Sequence, residues 1–230
     1  MKKSILFLLL FSIAGLGAFA QQSDGDEFFT KPDYKQIEKA TKNASSPYYF
    51  PKLMQRYEAA DSTLTLEEKR HLYYGFVFQP QYRGVDTPKL NDNLAASLAK
   101  QQFSKEDYNL ILTQADEILK DDPFSLRALE AQLFVYAQED NVKGYITNVI
   151  KKKIVFDAII SSGEGVSKKD PFYVIRVGHE YDLLGYFGYR FGGENKILKQ
   201  GNYLSVANNK YGISGLYFNI EPVFKYMGKH

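Results

Sequence analysis

The chain has 230 residues with no cysteine and no tryptophan, 29 Lys/Arg against 27 Asp/Glu, and three histidines. Without cysteine there are no disulfides, thiolate metal sites, iron–sulfur clusters or cysteine nucleophile, and no lipid anchor of the kind that needs a cysteine at the processing site. A net charge of +2 and the lack of a recognised nucleic-acid-binding motif give no basis for a nucleic-acid partner.

The first residues carry the three parts of a secretory signal. Lys2 and Lys3 supply the positive start, and Ile5 to Ile13 is almost unbroken hydrocarbon apart from Ser12. Ala18-Phe19-Ala20 places small residues before an expected cut after Ala20. The apolar stretch from Ile5 to Ala20 falls short of the roughly twenty residues that a membrane span needs. The expected mature protein is therefore periplasmic or secreted, with no transmembrane anchor, and begins at Gln21. It must hold together by core packing alone. Losing Lys2 and Lys3 leaves it near neutral, but the charge is divided. Residues 21–141 carry 14 basic against 20 acidic side chains, and residues 142–230 carry 13 against 7. Complementary docking of one half on the other explains this division; a basic face for an anionic ligand is the alternative.

In chain order, residues 21–32 read as a flexible polar lead. Residues 33–160 read as helical. Tyr34, Ile37 and Ala40 or Thr41 recur at helical spacing, Pro51 opens a second short helix, and Thr65-Leu66-Glu67-Glu68 has the pattern of a capping box. The string Tyr73-Tyr74-Gly75-Phe76-Val77-Phe78 offers a stacking platform for a ligand, but aromatics at helical spacing more often build core. After a loop from Gln79 to Pro88 come a helix over Leu90 to Ala99, one opened by Ser104, one over Ser125 to Gln138 and one over Val142 to Ile160. The last carries Lys151-Lys152-Lys153 as a solvated face.

From Leu90 to Ile150 the chain resembles the tetratricopeptide repeat, with Pro123 at the repeat's closing proline, Leu129 at its large aromatic position and Tyr136 at its tyrosine. Leu133 and Ala115 depart from it in size. The resemblance implies stacked antiparallel helical hairpins more than a true repeat.

Residues 161–230 change texture and read as a β-rich region packed on the helices. Ser161 to Gly165 fits neither a serine elbow nor a phosphate loop and reads as a helix-ending turn. Phe172 to Val177, Lys196 to Val206 and Tyr211 to Ile220 read as strands. The expected fold is α+β: stacked hairpins followed by a small antiparallel sheet of three to four strands.

Candidates for chemistry are few. His230 ends the chain, and His71 sits on a helix among charged neighbours. His179, Glu180 and Asp182 form the one cluster in which a histidine and carboxylates could hold a divalent metal or share a proton. Placed on a strand, His179 and Tyr181 share one face while Glu180 and Asp182 share the other, so the cluster diverges. No catalytic, metal or cofactor set follows from it, and the reading leans away from an enzyme.

Four segments carry a wider resemblance: Tyr73 to Gln79, Ser162-Gly-Glu-Gly165 leading into Phe172-Tyr-Val-Ile175, His179 to Leu184, and Tyr211 to Ile220. Together they are similar to a family of short exported proteins from Bacteroidetes-type bacteria, a domain of unknown function. That resemblance implies membership over nearly the whole mature chain and assigns no functional residue. The first expectation is thus a non-enzymatic periplasmic binding or scaffold protein whose helical-hairpin surface takes an envelope protein or peptide. An envelope hydrolase or metal-dependent enzyme around His179, and an envelope glycan or lipid binder, are the alternatives.

Overall fold

Helices begin where a side chain can satisfy the first free amides. In the computed structural model, which describes residues 29–85 and 88–228, Asp33 accepts from Lys35 and Gln36 at the start of α1 (Tyr34–Lys42), and Thr65 and Glu68 close a full capping box on α3 (Leu66–Gly75). Ser104 and Asp107 do the same for α5 (Lys105–Asp121), Ser125 caps α6 (Leu126–Gln138), and Asn141 caps α7 (Val142–Ile160). Each cap removes one or two unpaired donors and contributes about 1 kcal/mol. Between them stand α2 (Phe50–Glu58), with a proline in its first turn, and α4 (Pro88–Leu98). The expected signal segment, its expected cut after Ala20 and most of the expected polar lead lie outside the described residues.

The helices α4 to α7 pack each on the next, so the expected stacked hairpins are present. A polar ladder joins the last three: Gln132 donates to Asp116 at 2.6 Å, and Asn148 donates to the Gln132 oxygen at 2.7 Å. After α7 come β1 (Phe172–Tyr173), α8 (Gly178–Tyr186), β2 (Phe191–Leu198), β3 (Gly201–Val206), β4 (Gly215–Asn219) and α9 (Glu221–Met227). The fold is α+β. The sheet order is β1-β4-β3-β2, and β1 runs parallel to β4, so the sheet is mixed where a purely antiparallel one was expected.

Each further departure has a local cause. The extended run at Phe172 pairs as a strand for two residues only, because the Ile175 amide is taken by the Tyr73 hydroxyl (3.2 Å) and its carbonyl by the Tyr82 hydroxyl (2.8 Å). The stretch expected as one strand over Lys196 to Val206 is a hairpin turning at Lys199–Gln200. A Cβ on Gly201 would meet the Phe218 carbonyl oxygen at 1.7 Å, so glycine alone allows β3 to start there. Of Tyr211 to Ile220, only Gly215–Asn219 forms a strand. The preceding residues wrap around Asn209, whose side chain binds the backbone of Ala207, Tyr211 and Ile213. The closing helix α9 was not expected. The Asn219 side chain accepts the Glu221 amide where it starts, and Pro222 sits in its first turn.

Two cores result. The larger joins α1–α3, α7, α8 and the sheet around Tyr57, Tyr73, Tyr74, Phe76 and Phe124. The smaller lies under α4–α6 and is built from Leu94, Ile111, Ala115, Ile118, Ala128, Ala131 and Val135. Lys151 and Lys152 are half-buried on α7 rather than fully solvated. The Lys151 ammonium lies 5.6 Å from the Tyr57 ring centre.

Candidate functional site

His179, Glu180 and Asp182 lie on α8, not on a strand. Helical geometry brings His179, Glu180, Leu183 and Leu184 to buried positions, a spacing of three to four residues. A histidine and a glutamate occupy two of these inward positions, which hides the helical period from any count of apolar residues alone.

His179 faces the larger core. Its Nε2 lies 3.1 Å from the carbonyl oxygen of Phe124, and its Nδ1 lies 2.7 Å from the hydroxyl of Tyr73. A carbonyl can only accept, so Nε2 carries the hydrogen and Nδ1 is left to accept from the tyrosine. The Tyr73 oxygen in turn accepts the Ile175 amide. The chain of bonds is complete at both ring nitrogens, and neither has a lone pair or proton to offer a metal or substrate. Burial, with the Arg176 charge adding to it, pulls the imidazole from 6.5 down to about 3. The ring is neutral throughout the physiological range. Tyr73 is pushed well above 10 by burial, so it does not ionise either.

Glu180 points away from His179, toward the sheet. Both carboxylate oxygens receive the Asn202 amide of β3, at 2.9 and 3.1 Å. Burial raises its carboxyl from 4.5 to about 7, and the Asn202 bonds offset part of that rise. Among the described residues, the Asn202 oxygen has no hydrogen-bond partner. A protonated Glu180 therefore suits this site better than an ionised one.

Asp182 takes a third direction, toward an open surface. With Arg83, Asp121, Arg127 and Arg176 it lines a shallow cleft between the α5–α6 connection and the start of α8, and His179 is among the residues beneath. A second, roomier hollow shares Leu126, Arg127 and Asp182 with the first and adds Glu130, Lys152, Phe156, Tyr181 and Tyr186. The two make one groove along α6 and α8. Opposite charges across it are already matched: the Arg176 guanidinium sits 2.7 Å from Asp122, and Lys152 pairs with Glu130. Both pairs join a cation of the basic half to a carboxylate of the acidic half. The groove therefore holds both signs in balance and gives no concentrated positive field.

A family model described as Domain of unknown function (DUF4919) matches residues 35–228. The chain belongs to this family. No curated protein and no solved structure matches it. In this member of the family, the three residues singled out from sequence part company: His179 is a core tie, Glu180 a partner of the sheet and Asp182 a wall of the groove. Sequence reading missed Arg127, Arg176, Tyr181 and Tyr186 as groove residues. Tyr181 and Tyr186 sit at i and i+5 on α8, a relation that is visible only once α8 is known to be a helix. No group of three or more His, Cys, Asp or Glu that could hold a metal ion occurs among the described residues, and no helix among them is long and apolar enough to cross a membrane.

Proposed function

We propose that the chain is an exported, non-catalytic binding protein that takes a polypeptide segment in the groove between α6 and α8. The observation that carries this reading is the pairing of an open groove with a histidine whose two nitrogens are both engaged. A hydrolase or metal enzyme centred on His179 would need one of those nitrogens free. A polypeptide suits the groove because it presents both donors and acceptors along its length. The walls answer with Arg127 and Asp182 of opposite sign and with the rings of Phe156, Tyr181 and Tyr186. An anionic glycan or lipid headgroup is less well matched, since Arg176 and Lys152 are already paired with Asp122 and Glu130. Export rests on the Lys2-Lys3 start, the apolar run and Ala18-Phe19-Ala20, which are features of sequence alone.

Site-specific photo-crosslinking in envelope extract tests the reading. A crosslinker at position 186, in the groove, should give a discrete adduct whose partner peptide is read by mass spectrometry; one at position 110, on α5, should not. The identified peptide, made synthetically, should bind the wild-type chain and lose about tenfold in affinity to Asp182→Lys. Equal adducts from both positions, or none from the groove, would count against it.

A further inference from the structure

The first half of α7 carries an apolar stripe that none of the described residues covers. Val142, Tyr145, Ile146 and Val149 are 66, 42, 53 and 42% exposed and stand at i, i+3, i+4 and i+7, which places them on one face of the helix. The buried residues of α7 lie mostly in its second half, Ile154 to Ile159, where α3 packs on it. A stack of helical hairpins ordinarily ends on a polar outer face, because an apolar one leaves hydrocarbon in water.

Charge at the two ends of the stripe points to its occupant. The turn before α7 is acidic, with Glu139 and Asp140 both exposed, and Lys153 follows the stripe on the same face. Ile146 lies midway in sequence, seven residues after Glu139 and seven before Lys153. At a rise of about 1.5 Å per residue, Lys153 stands roughly 10 Å from Ile146 along α7, and the acidic turn lies beyond the helix's opposite end. Two copies of α7 crossing antiparallel over Ile146 would set each acidic turn toward the other copy's Lys153, with the four apolar side chains between them. A parallel pair would set lysine against lysine. Within one chain, Lys153 already contacts Asp157, but a pair with so exposed a lysine contributes little and re-forms at little cost.

We infer that the chain forms a two-fold homodimer through the α7 face, antiparallel and centred near Ile146. The contact is isologous, so it closes on itself and does not propagate. It lies apart from the groove, whose α7 residues are Lys152 and Phe156.

Sedimentation equilibrium on the full mature chain over a concentration series tests this. A monomer–dimer equilibrium is expected. Ile146→Glu, at an exposed position, should raise the dissociation constant about a hundredfold while leaving the thermal unfolding midpoint of the monomer, measured well below the wild-type dissociation constant, unchanged. Glu139→Lys and Lys153→Glu should each weaken the dimer severalfold, and the two together should restore it to within about threefold of wild type. That rescue reads the antiparallel register directly. A chain that sediments as a monomer throughout, a dimer indifferent to Ile146→Glu, or a charge swap without rescue would each overturn the inference.

Discussion

The two cores are made differently. The smaller one, under α4–α6, is aliphatic at its centre and joins elements that follow one another in sequence. The larger one is aromatic, and polar groups run through it: Tyr57, Tyr74 and Tyr82 reach the carbonyls of Pro123, Ala158 and Ile175, while Tyr73 meets His179. Those bonds join residues 66 to 106 positions apart. Tyrosine suits this work because one side chain gives both ring area and a hydroxyl that can satisfy a distant, irregular stretch of backbone. In the first core, hydrophobic burial does the joining and each residue is exchangeable in kind. In the second, the joining groups are specific, and removing one leaves its partner buried and unpaired.

The largest expected effect tests that difference directly. His179→Ala removes a fully packed ring and leaves the Phe124 carbonyl without its donor, so stability should fall by about 4 kcal/mol. Urea unfolding followed by circular dichroism measures it. A loss under about 1 kcal/mol would mean that the ring is not a tie.

Glu180 gives the next effect, and its sign is opposite. Its folded-state value is raised from 4.5 to about 7, so between those values the folded chain holds a proton that the unfolded chain has released. Its contribution is intact below about pH 4.5 and is lost as pH rises through about 7. His179 works from the other side. With its folded value lowered from 6.5 to about 3, the unfolded chain gains a proton first as pH falls, and stability declines from about pH 6.5 downward. Glu180→Gln keeps the shape of the protonated acid. It should stabilise the chain by up to about 3 kcal/mol near pH 8 and by almost nothing near pH 4. Unfolding midpoints at the two pH values decide it, and a shift of equal size at both would show that protonation is not the cause.

The smallest effect belongs to the helical hairpins. Ser104→Ala removes one half of the capping box on α5 and should cost about 1 kcal/mol, read as a modest drop in the urea midpoint with unchanged slope.

This contrast also explains what could be read from the sequence. Caps at Asp33, Thr65, Ser104 and Ser125 and the apolar period of α5 and α6 are local signals, and the α+β class with its hairpins followed from them. The inward residues of α8 include His179 and Glu180, whose polarity conceals the period. The brevity of β1 depends on hydroxyls from Tyr73 and Tyr82, about a hundred and about ninety residues away in the chain. No local pattern carries that information. The groove was out of reach for the same reason, since Arg127 and Asp182 become neighbours only through the packing of α6 on α8.

The central claim is that His179, the histidine of the candidate cluster, is a structural tie with both ring nitrogens engaged. Nitrogen NMR of the His179 imidazole tests it most directly. The account predicts a neutral ring with its hydrogen on Nε2, unchanged from about pH 8 down to about pH 5 and indifferent to added zinc. A ring that titrates near 6.5, carries its hydrogen on Nδ1, or shifts when zinc is added would contradict it.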